Sequence, residues 1–327
     1  MLILNREETL RALPMREAIP IVREAFIQLS TGQVDAPLRA AIRPARHEGV
    51  TLVMPGYLRG NDALAVKVVS VFPGNQALRL PTIHALVLLL NAATGEMVAV
   101  MEGAGLTALR TGAASGVATE LLAREDARVA AIFGAGEQAR AQLLAVCSVR
   151  ALDRVWIYSP NLQRTQAFIA EMQPQVGGVE LLAADSSGQA ARESDIICAA
   201  TTSPTPVFEG AHLKAGAHIN AVGSFTPEMQ EVDGVTLQRA AKIVIDARES
   251  ALAEAGDLLI ALAQCMIQAT DIYGEIGEIA AGLKPGRSSA DEITYFKTVG
   301  NAALDVAVAQ AVYRKSLQDK LGIEVLL

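Results

Sequence analysis

Hydrophobic spacing divides the chain into three stretches. In residues 1–35, Ala18, Ile21, Val22, Ala25, Phe26 and Leu29 recur at helical spacing after a start at Leu13-Pro14-Met-Arg-Glu-Ala18, and Thr31-Gly32 ends the run. Strand-length segments follow at Leu38 to Ile42, Val50 to Met54, Ala63 to Val71 and His84 to Leu90. Asn91-Ala-Ala-Thr-Gly95 makes a turn, and Met97 to Met101 returns as a strand. The pattern then predicts a helix over Leu106 to Leu122, whose Ala113, Ala114, Gly116 and Ala118 call for close packing against a neighbour. From Val129 the chain alternates strand and helix, with strands predicted at Val129–Phe133, Arg154–Tyr158, Glu180–Ala183, Ile196–Ala200, His218–Val222 and Lys242–Ile245. Helices fill most gaps, one of them from Asn161 to Met172. After Asp257 the pattern predicts a helix from Leu258 to Gln264, a short helix between the glycines of Gly274 to Gly286, a strand at Ile293–Lys297 and a long helix from Asn301 to Leu317.

The stretch Val129-Ala-Ala-Ile-Phe133 has no polar alternation, as expected of a strand buried on both faces. Gly134-Ala-Gly136-Glu137-Gln138-Ala139 follows at once and runs into a helix. Strand, glycine turn and helix form the G-x-G-x-x-A dinucleotide fingerprint. Gly134 permits the tight turn, Gly136 lets a pyrophosphate approach the backbone, and the helix N-terminus offers N–H groups and partial positive charge. Right-handed crossovers give an α/β, doubly wound Rossmann sheet. The final helix is expected to return to the first stretch. That gives a discontinuous β-rich α+β domain over residues 1–117 and 300–327, and a Rossmann domain over 118–299.

Composition narrows the partners. With hydrophobic residues at 51% and aromatics at only 4%, small side chains must fill the core, as in tightly packed α/β layers. A net charge of −7 disfavours nucleic acid and anionic membranes as partners. No apolar run approaches the roughly 20 residues of a membrane span, and Met1-Leu-Ile-Leu-Asn5 lacks a signal-peptide pattern. Cys147, Cys198 and Cys265 are odd in number and far apart, which predicts no disulfide framework and a cytoplasmic setting. The four histidines show no metal-ligand spacing, so no metal is expected.

The end of the second Rossmann strand reads the cofactor's adenosine ribose. Here it runs Tyr158-Ser159-Pro160-Asn161-Leu-Gln-Arg164, without the carboxylate that marks a free 2′-hydroxyl. Ser159 and Asn161 can bond a 2′-phosphate and Arg164 can pair with it, so NADP(H) is favoured over NAD(H). A solvated helix face accounts for Arg164 nearly as well. For a small anion, the β-rich half offers Arg39, Arg43, Arg46, Lys67, Arg79 and Arg110. Lys67 stands out because it interrupts an apolar strand, where an ammonium must be paired, at an edge or functional. Asp257 and the Glu275/Glu278 pair are read as helix caps or solvent-exposed groups.

These motifs resemble those of the ornithine cyclodeaminase/mu-crystallin family over nearly the whole chain. The matching segments include Pro37-Leu-Arg39, Met54-Pro55, Lys67-Val-Val-Ser-Val-Phe-Pro-Gly-Asn75 and Pro81-Thr82-Ile-His84. Leu106-Thr-Ala-Leu-Arg110-Thr-Gly-Ala-Ala114, Gly216-Ala-His-Ile-Asn-Ala-Val-Gly223, Glu254-Ala-Gly-Asp257 and Phe296-Lys297-Thr-Val-Gly300 continue the match. The resemblance implies a homodimer formed through the β-rich domain. It places a substrate carboxylate on Arg39, Lys67 and Arg110. The cofactor would lie along Thr82, Arg110, Glu137, Gln138, Ser159, Thr201, Val222, Gly223, Ser224 and Val299. Ornithine cyclodeaminases and related alanine dehydrogenases carry an Asp where this chain has Phe225. A phenyl ring cannot take a proton from an amine. The mu-crystallin branch also lacks this Asp and is associated with ketimine reduction, so the resemblance implies NAD(P)H-dependent reduction of a cyclic ketimine carboxylate, Δ1-pyrroline-2-carboxylate or Δ1-piperideine-2-carboxylate, with Lys67 as the candidate proton donor. The alternatives are an ornithine cyclodeaminase or alanine dehydrogenase-type enzyme using NAD, and a non-catalytic crystallin-like NAD(P)H-binding protein.

Overall fold

The structure, a computed structural model, describes residues 1–326. The chain begins with β1 (Leu2–Leu4), α1 (Arg6–Ala12), α2 (Met15–Ser30), β2 (Val34–Asp35), β3 (Ala40–Ile42), β4 (Val50–Leu58), β5 (Ala63–Val71), β6 (Ile83–Asn91), β7 (Met97–Glu102) and α3 (Gly103–Leu122). It continues with β8 (Val129–Phe133), α4 (Glu137–Val149), β9 (Arg154–Tyr158), α5 (Leu162–Met172), β10 (Glu180–Ala183), α6 (Ser187–Glu193), β11 (Ile196–Ala199), β12 (His218–Ala221), α7 (Gly234–Arg239) and β13 (Ala240–Ile245). The last elements are α8 (Arg248–Glu254), α9 (Gly256–Ala263), β14 (Ile272–Glu275), α10 (Ile276–Ala280), β15 (Ile293–Lys297), α11 (Ala302–Asp319) and β16 (Ile323–Glu324). Two compact units result, one of Met1–Arg110 with Asn301–Leu327 and the other of Thr111–Gly300.

The first unit is built on a sheet in the order β16-β1-β7-β6-β5-β4-β2, with β3 also paired to β4. Strands β4 to β7 form an antiparallel meander. Period-two alternation gives the sheet two different faces. On β5, Ala63, Ala65, Lys67 and Val69 point to the buried face, beside Met54 and Leu58 of β4 and Val87 and Leu89 of β6. Helix α11 packs on β4 and β5 and against α2. It comes so close that a Cβ at Gly56 would sit 3.0 Å from Val306 and 3.2 Å from Ala302, which explains the small residues on both elements. The other face leaves Ile42 61%, Val68 40% and Leu86 55% exposed.

The second unit is a parallel sheet in the order β10-β9-β8-β11-β12-β15-β13-β14. Its central strands are buried on both sides. Phe133, Ile197, Ile219 and Tyr295 face one core, and Ile132, Val155, Ile157 and Ile196 face the other. The strand order reverses between β8 and β11, so the crevice at their carboxyl ends is the position where such sheets take ligands.

Several elements differ from the sequence reading. Helix α1 precedes the expected first helix and opens on a capping box between Asn5 and Glu8. Gly274 and Glu275 belong to the edge strand β14, and the short helix begins only at Ile276. Glu275 and Glu278 do form a capping box there. Asp257 is not a solvated cap. It is fully buried and ion-paired to Lys297 at 2.9 Å.

Candidate functional site

In the first unit, Lys67 and Arg110 converge on one carboxylate. Lys67 Nζ lies 3.2 Å and 3.3 Å from the two oxygens of Asp305, and Arg110 Nε donates to Oδ1 at 3.1 Å. All three side chains are buried. The strand period turns Lys67 toward α11, and Asp305 stands in the first turn of that helix. Burial pushes the Lys67 ammonium down to about 8. Asp305 opposes that shift, while the charges of Arg110 and Arg39 add to it. Burial alone would raise the Asp305 carboxyl, but Lys67 and Arg110 outweigh it and hold it below the usual carboxylate range.

Two buried cations thus share one buried anion, and the half-buried Arg39 adds further positive charge. Such a surplus of buried positive charge favours a further anion at this point. Among the described residues Arg110 bonds Asp305 through Nε alone, and a guanidinium so held has four further N–H donors, the kind of group that suits a carboxylate. Arg43, Arg46 and Arg79 are exposed and do not join this cluster. Asp305 was missed in the sequence. Its one signal was a carboxylate inside the apolar run Ala302-Ala-Leu-Asp305-Val-Ala.

In the second unit the glycine turn is built as a phosphate cradle. Gly134 has φ +111°, and a Cβ there would lie 2.6 Å from the carbonyl oxygen of Ala200. At Gly136 the space a Cβ would enter is open, and Gly136 caps α4 without a side chain, so the first N–H groups of a 13-residue helix are presented there. Gln138 Oε1 is buried and has no hydrogen-bond partner among the described residues. A cavity of about 270 Å³ opens at the strand ends, lined by Phe133, Gly134, Tyr158, Pro160, Thr201 and Val207 among others. These features fit a dinucleotide.

The remaining expected cofactor residues divide by what holds them. Ser159 Oγ donates to the Asn161 carbonyl at 3.0 Å, and Asn161 Oδ1 accepts from Arg164 N at 3.0 Å, so both side chains serve the start of α5. Arg164 and Glu137 are exposed. The backbones of Thr201, Gly223 and Ser224 are gathered on the carboxylate of Glu231. Val299 N donates to buried Asp246 at 2.9 Å, beside Thr298 and Gly300, which use the same oxygen. Thr82 belongs to the first unit, where its carbonyl accepts from Phe72 N at 2.9 Å. Glu231 and Asp246 were not recognised in the sequence, because their partners are backbone groups that spacing does not reveal.

Of the histidines, His218 is a core residue bonded to Thr294 at 2.9 Å and Asn220 at 3.2 Å, and burial pushes it down to about 3. No cluster of potential metal ligands occurs among the described residues, and no described helix is long and apolar enough to cross a membrane.

Among known proteins similar to this chain are reductases, dehydrogenases and cyclodeaminases. A Δ1-pyrroline-2-carboxylate reductase of Bacillus cereus is 38% identical over 322 residues, covering 98% of each chain. The mouse ketimine reductase mu-crystallin is 34% identical over 298 residues, 90% of each chain. Among solved structures, a Thermococcus litoralis Δ1-pyrroline-2-carboxylate reductase in complex with NADH and L-proline superposes with a TM-score of 0.95. It is 42% identical and covers 99% of this chain and 100% of its own. The chain is thus an imine-reducing oxidoreductase with a nicotinamide-dinucleotide fold. A model of the ornithine cyclodeaminase/mu-crystallin family matches residues 1–320, and the chain belongs to that family.

Proposed function

We propose that this enzyme reduces a cyclic ketimine carboxylate, Δ1-pyrroline-2-carboxylate or Δ1-piperideine-2-carboxylate, to the corresponding cyclic amino acid with NAD(P)H. The observation that carries the proposal is the buried cluster of Lys67, Arg110 and Asp305, whose positive charge exceeds its negative charge. Arg110 and Arg39 grip the substrate carboxylate through charge-assisted hydrogen bonds. Lys67 shares that grip and donates the proton that the imine nitrogen needs. With its ammonium lowered to about 8, Lys67 is still protonated at neutral pH and is well matched to general-acid work. Asp305 holds both cations toward one point. Gly134, Gly136 and Gln138 seat the dinucleotide, and reduced nicotinamide supplies the hydride for the imine carbon. The product leaves as a secondary amine, with the carboxylate unchanged.

At its finer level the proposal favours NADPH. No carboxylate closes the end of β9 against a 2′-phosphate, and Arg164 supplies a cation there. NADH remains a usable donor, as its presence in the Thermococcus complex supports. The first unit takes the roles of substrate binding and dimerisation. Its exposed apolar sheet face, with Ile42, Val68 and Leu86, supports a homodimer through that surface. Cys147, Cys198 and Cys265 are free, which supports a cytoplasmic setting. Phe225, half-buried against the core of the second unit, disfavours amine deamination.

The test is NADPH and NADH oxidation with five- and six-membered ketimine acids, run beside ornithine and alanine deamination. Turnover of a ketimine acid, without ammonia release from either amino acid, is expected. Ammonia release with no ketimine turnover would replace this reading by an amino-acid dehydrogenase.

A further inference from the structure

Beyond the ends of β11 and β12, regular pairing stops at Ala199 with Ala221, apart from a last bond from Val222 N to the Ala199 carbonyl at 2.9 Å. The two loops that follow carry Thr201 and the run Val222 to Ser224. They are joined by a side chain from outside both strands. One oxygen of Glu231 accepts from Thr201 N, while the other accepts from Gly223 N at 2.6 Å and Ser224 N at 3.0 Å. The loops are so close that a Cβ at Gly223 would collide with the Thr201 carbonyl and the Glu231 carboxylate. Glu231 is fully buried.

Its own backbone is fixed in turn. Glu231 N and Val232 N donate to Asp257 Oδ1 at 2.7 Å and 3.1 Å. Asp257 Oδ2 takes the ammonium of Lys297 at 2.9 Å and the hydroxyl of Tyr295 at 3.4 Å. All four side chains are fully buried. Two buried carboxylates thus face one buried cation, which is a costly arrangement for a group with no purpose beyond packing.

We propose that Glu231 is a positioning residue for the cofactor, whose ionised carboxylate locks the backbones of Thr201, Gly223 and Ser224 into a preformed cradle for the nicotinamide end. This rests on the assignment of those three residues to the cofactor. A carboxylate can accept from three N–H groups at once, whereas a protonated carboxyl turns one oxygen into a donor that faces N–H groups it cannot serve. The groups that face Glu231 are Asp257 of α9 and Lys297 and Tyr295 of β15. Burial and the Asp257 charge push the Glu231 carboxyl up, Lys297 and the Thr201 N–H oppose them, and the balance lies at about 7. Cofactor affinity should therefore weaken as pH falls through neutrality.

The experiment measures NADH binding to the full-length protein by nucleotide fluorescence from pH 6 to 8.5, without substrate, for the unaltered protein, Glu231→Gln and Glu231→Asp. Thermal unfolding of each is recorded in parallel. The unaltered protein should lose about tenfold in affinity between pH 8 and pH 6. Glu231→Gln should bind NADH at least tenfold more weakly at pH 8, with no pH dependence and a melting temperature at pH 8 no lower than that of the unaltered protein. Glu231→Asp, which keeps the charge, should regain part of both the affinity and its pH dependence, and it decides the matter if Glu231→Gln does not fold. Equal affinity and an equal pH profile in the folded variants would overturn the proposal. A failure of the unaltered protein to bind NADH at any pH would instead overturn the cofactor assignment beneath it.

Discussion

Replacing Asp305 by Asn removes one negative charge from the buried cluster and leaves its shape nearly intact. Asp305 lies 3.2 Å from the Lys67 ammonium, a separation worth about 5 kcal/mol at an effective dielectric of about 20. Part of that is recovered by relaxation, and an opposite charge at this range typically moves a neighbouring group by about 1 to 3 pH units. Asp305 raises Lys67, so its loss must lower Lys67 further from about 8. For a move of about two pH units, the protonated fraction of Lys67 at pH 7.5 falls about 25-fold, but at pH 6 only about twofold. The assay is kcat/KM for ketimine reduction at saturating NADH across pH 5.5 to 9, as the ratio of unaltered to Asp305→Asn enzyme. Taking the ratio cancels the titration of the substrate and of groups distant from the cluster. The alkaline limb should move to lower pH, and the ratio should shrink markedly as pH falls. A ratio that stays constant with pH, or a limb that does not move, would refute Lys67 as a proton donor poised by Asp305.

Other outcomes follow from the same geometry. Gly134→Ala places a Cβ 2.6 Å from the Ala200 carbonyl in a left-handed backbone conformation, and should abolish measurable NADH binding by fluorescence titration. Arg164→Ala should raise the KM for NADPH about tenfold, the loss of one charged hydrogen bond, and leave that for NADH within about twofold in steady-state assays. Leu86→Glu puts a charge on a surface where Leu86 is 55% exposed in the single chain. It should shift the enzyme from dimer to monomer by light scattering, with NADH affinity retained.

Much of this architecture is legible in the sequence because its signals are local. The strands β8, β9, β10 and β15 are short, mainly apolar runs whose charged residues stand only at their ends, and the sequence reading places all four at their observed limits. The glycine turn carries its meaning within six residues. Lys67 drew notice because an ammonium cannot lie unpaired in a buried strand, and it is indeed paired. What could not be read is the partner. Asp305 is 238 positions away from Lys67, and only the packing of α11 on β5 brings the two together. Glu231 and Asp246 escaped for a related reason. Each serves backbone N–H groups in loops, and a buried acid that braces a loop looks like any other acid when only the sequence is in view. The Asn5-Arg-Glu-Glu8 capping box is also a local signal, but it was not read from the sequence, and α1 begins at it.

The most direct measurement is the rate of NADPH and NADH oxidation with Δ1-pyrroline-2-carboxylate by the unaltered enzyme and by Lys67→Ala, with dinucleotide binding measured on both. The account predicts rapid turnover by the first, at least about a hundredfold less by the second, and the same dinucleotide affinity in each. Near-equal turnover by the two proteins would contradict it.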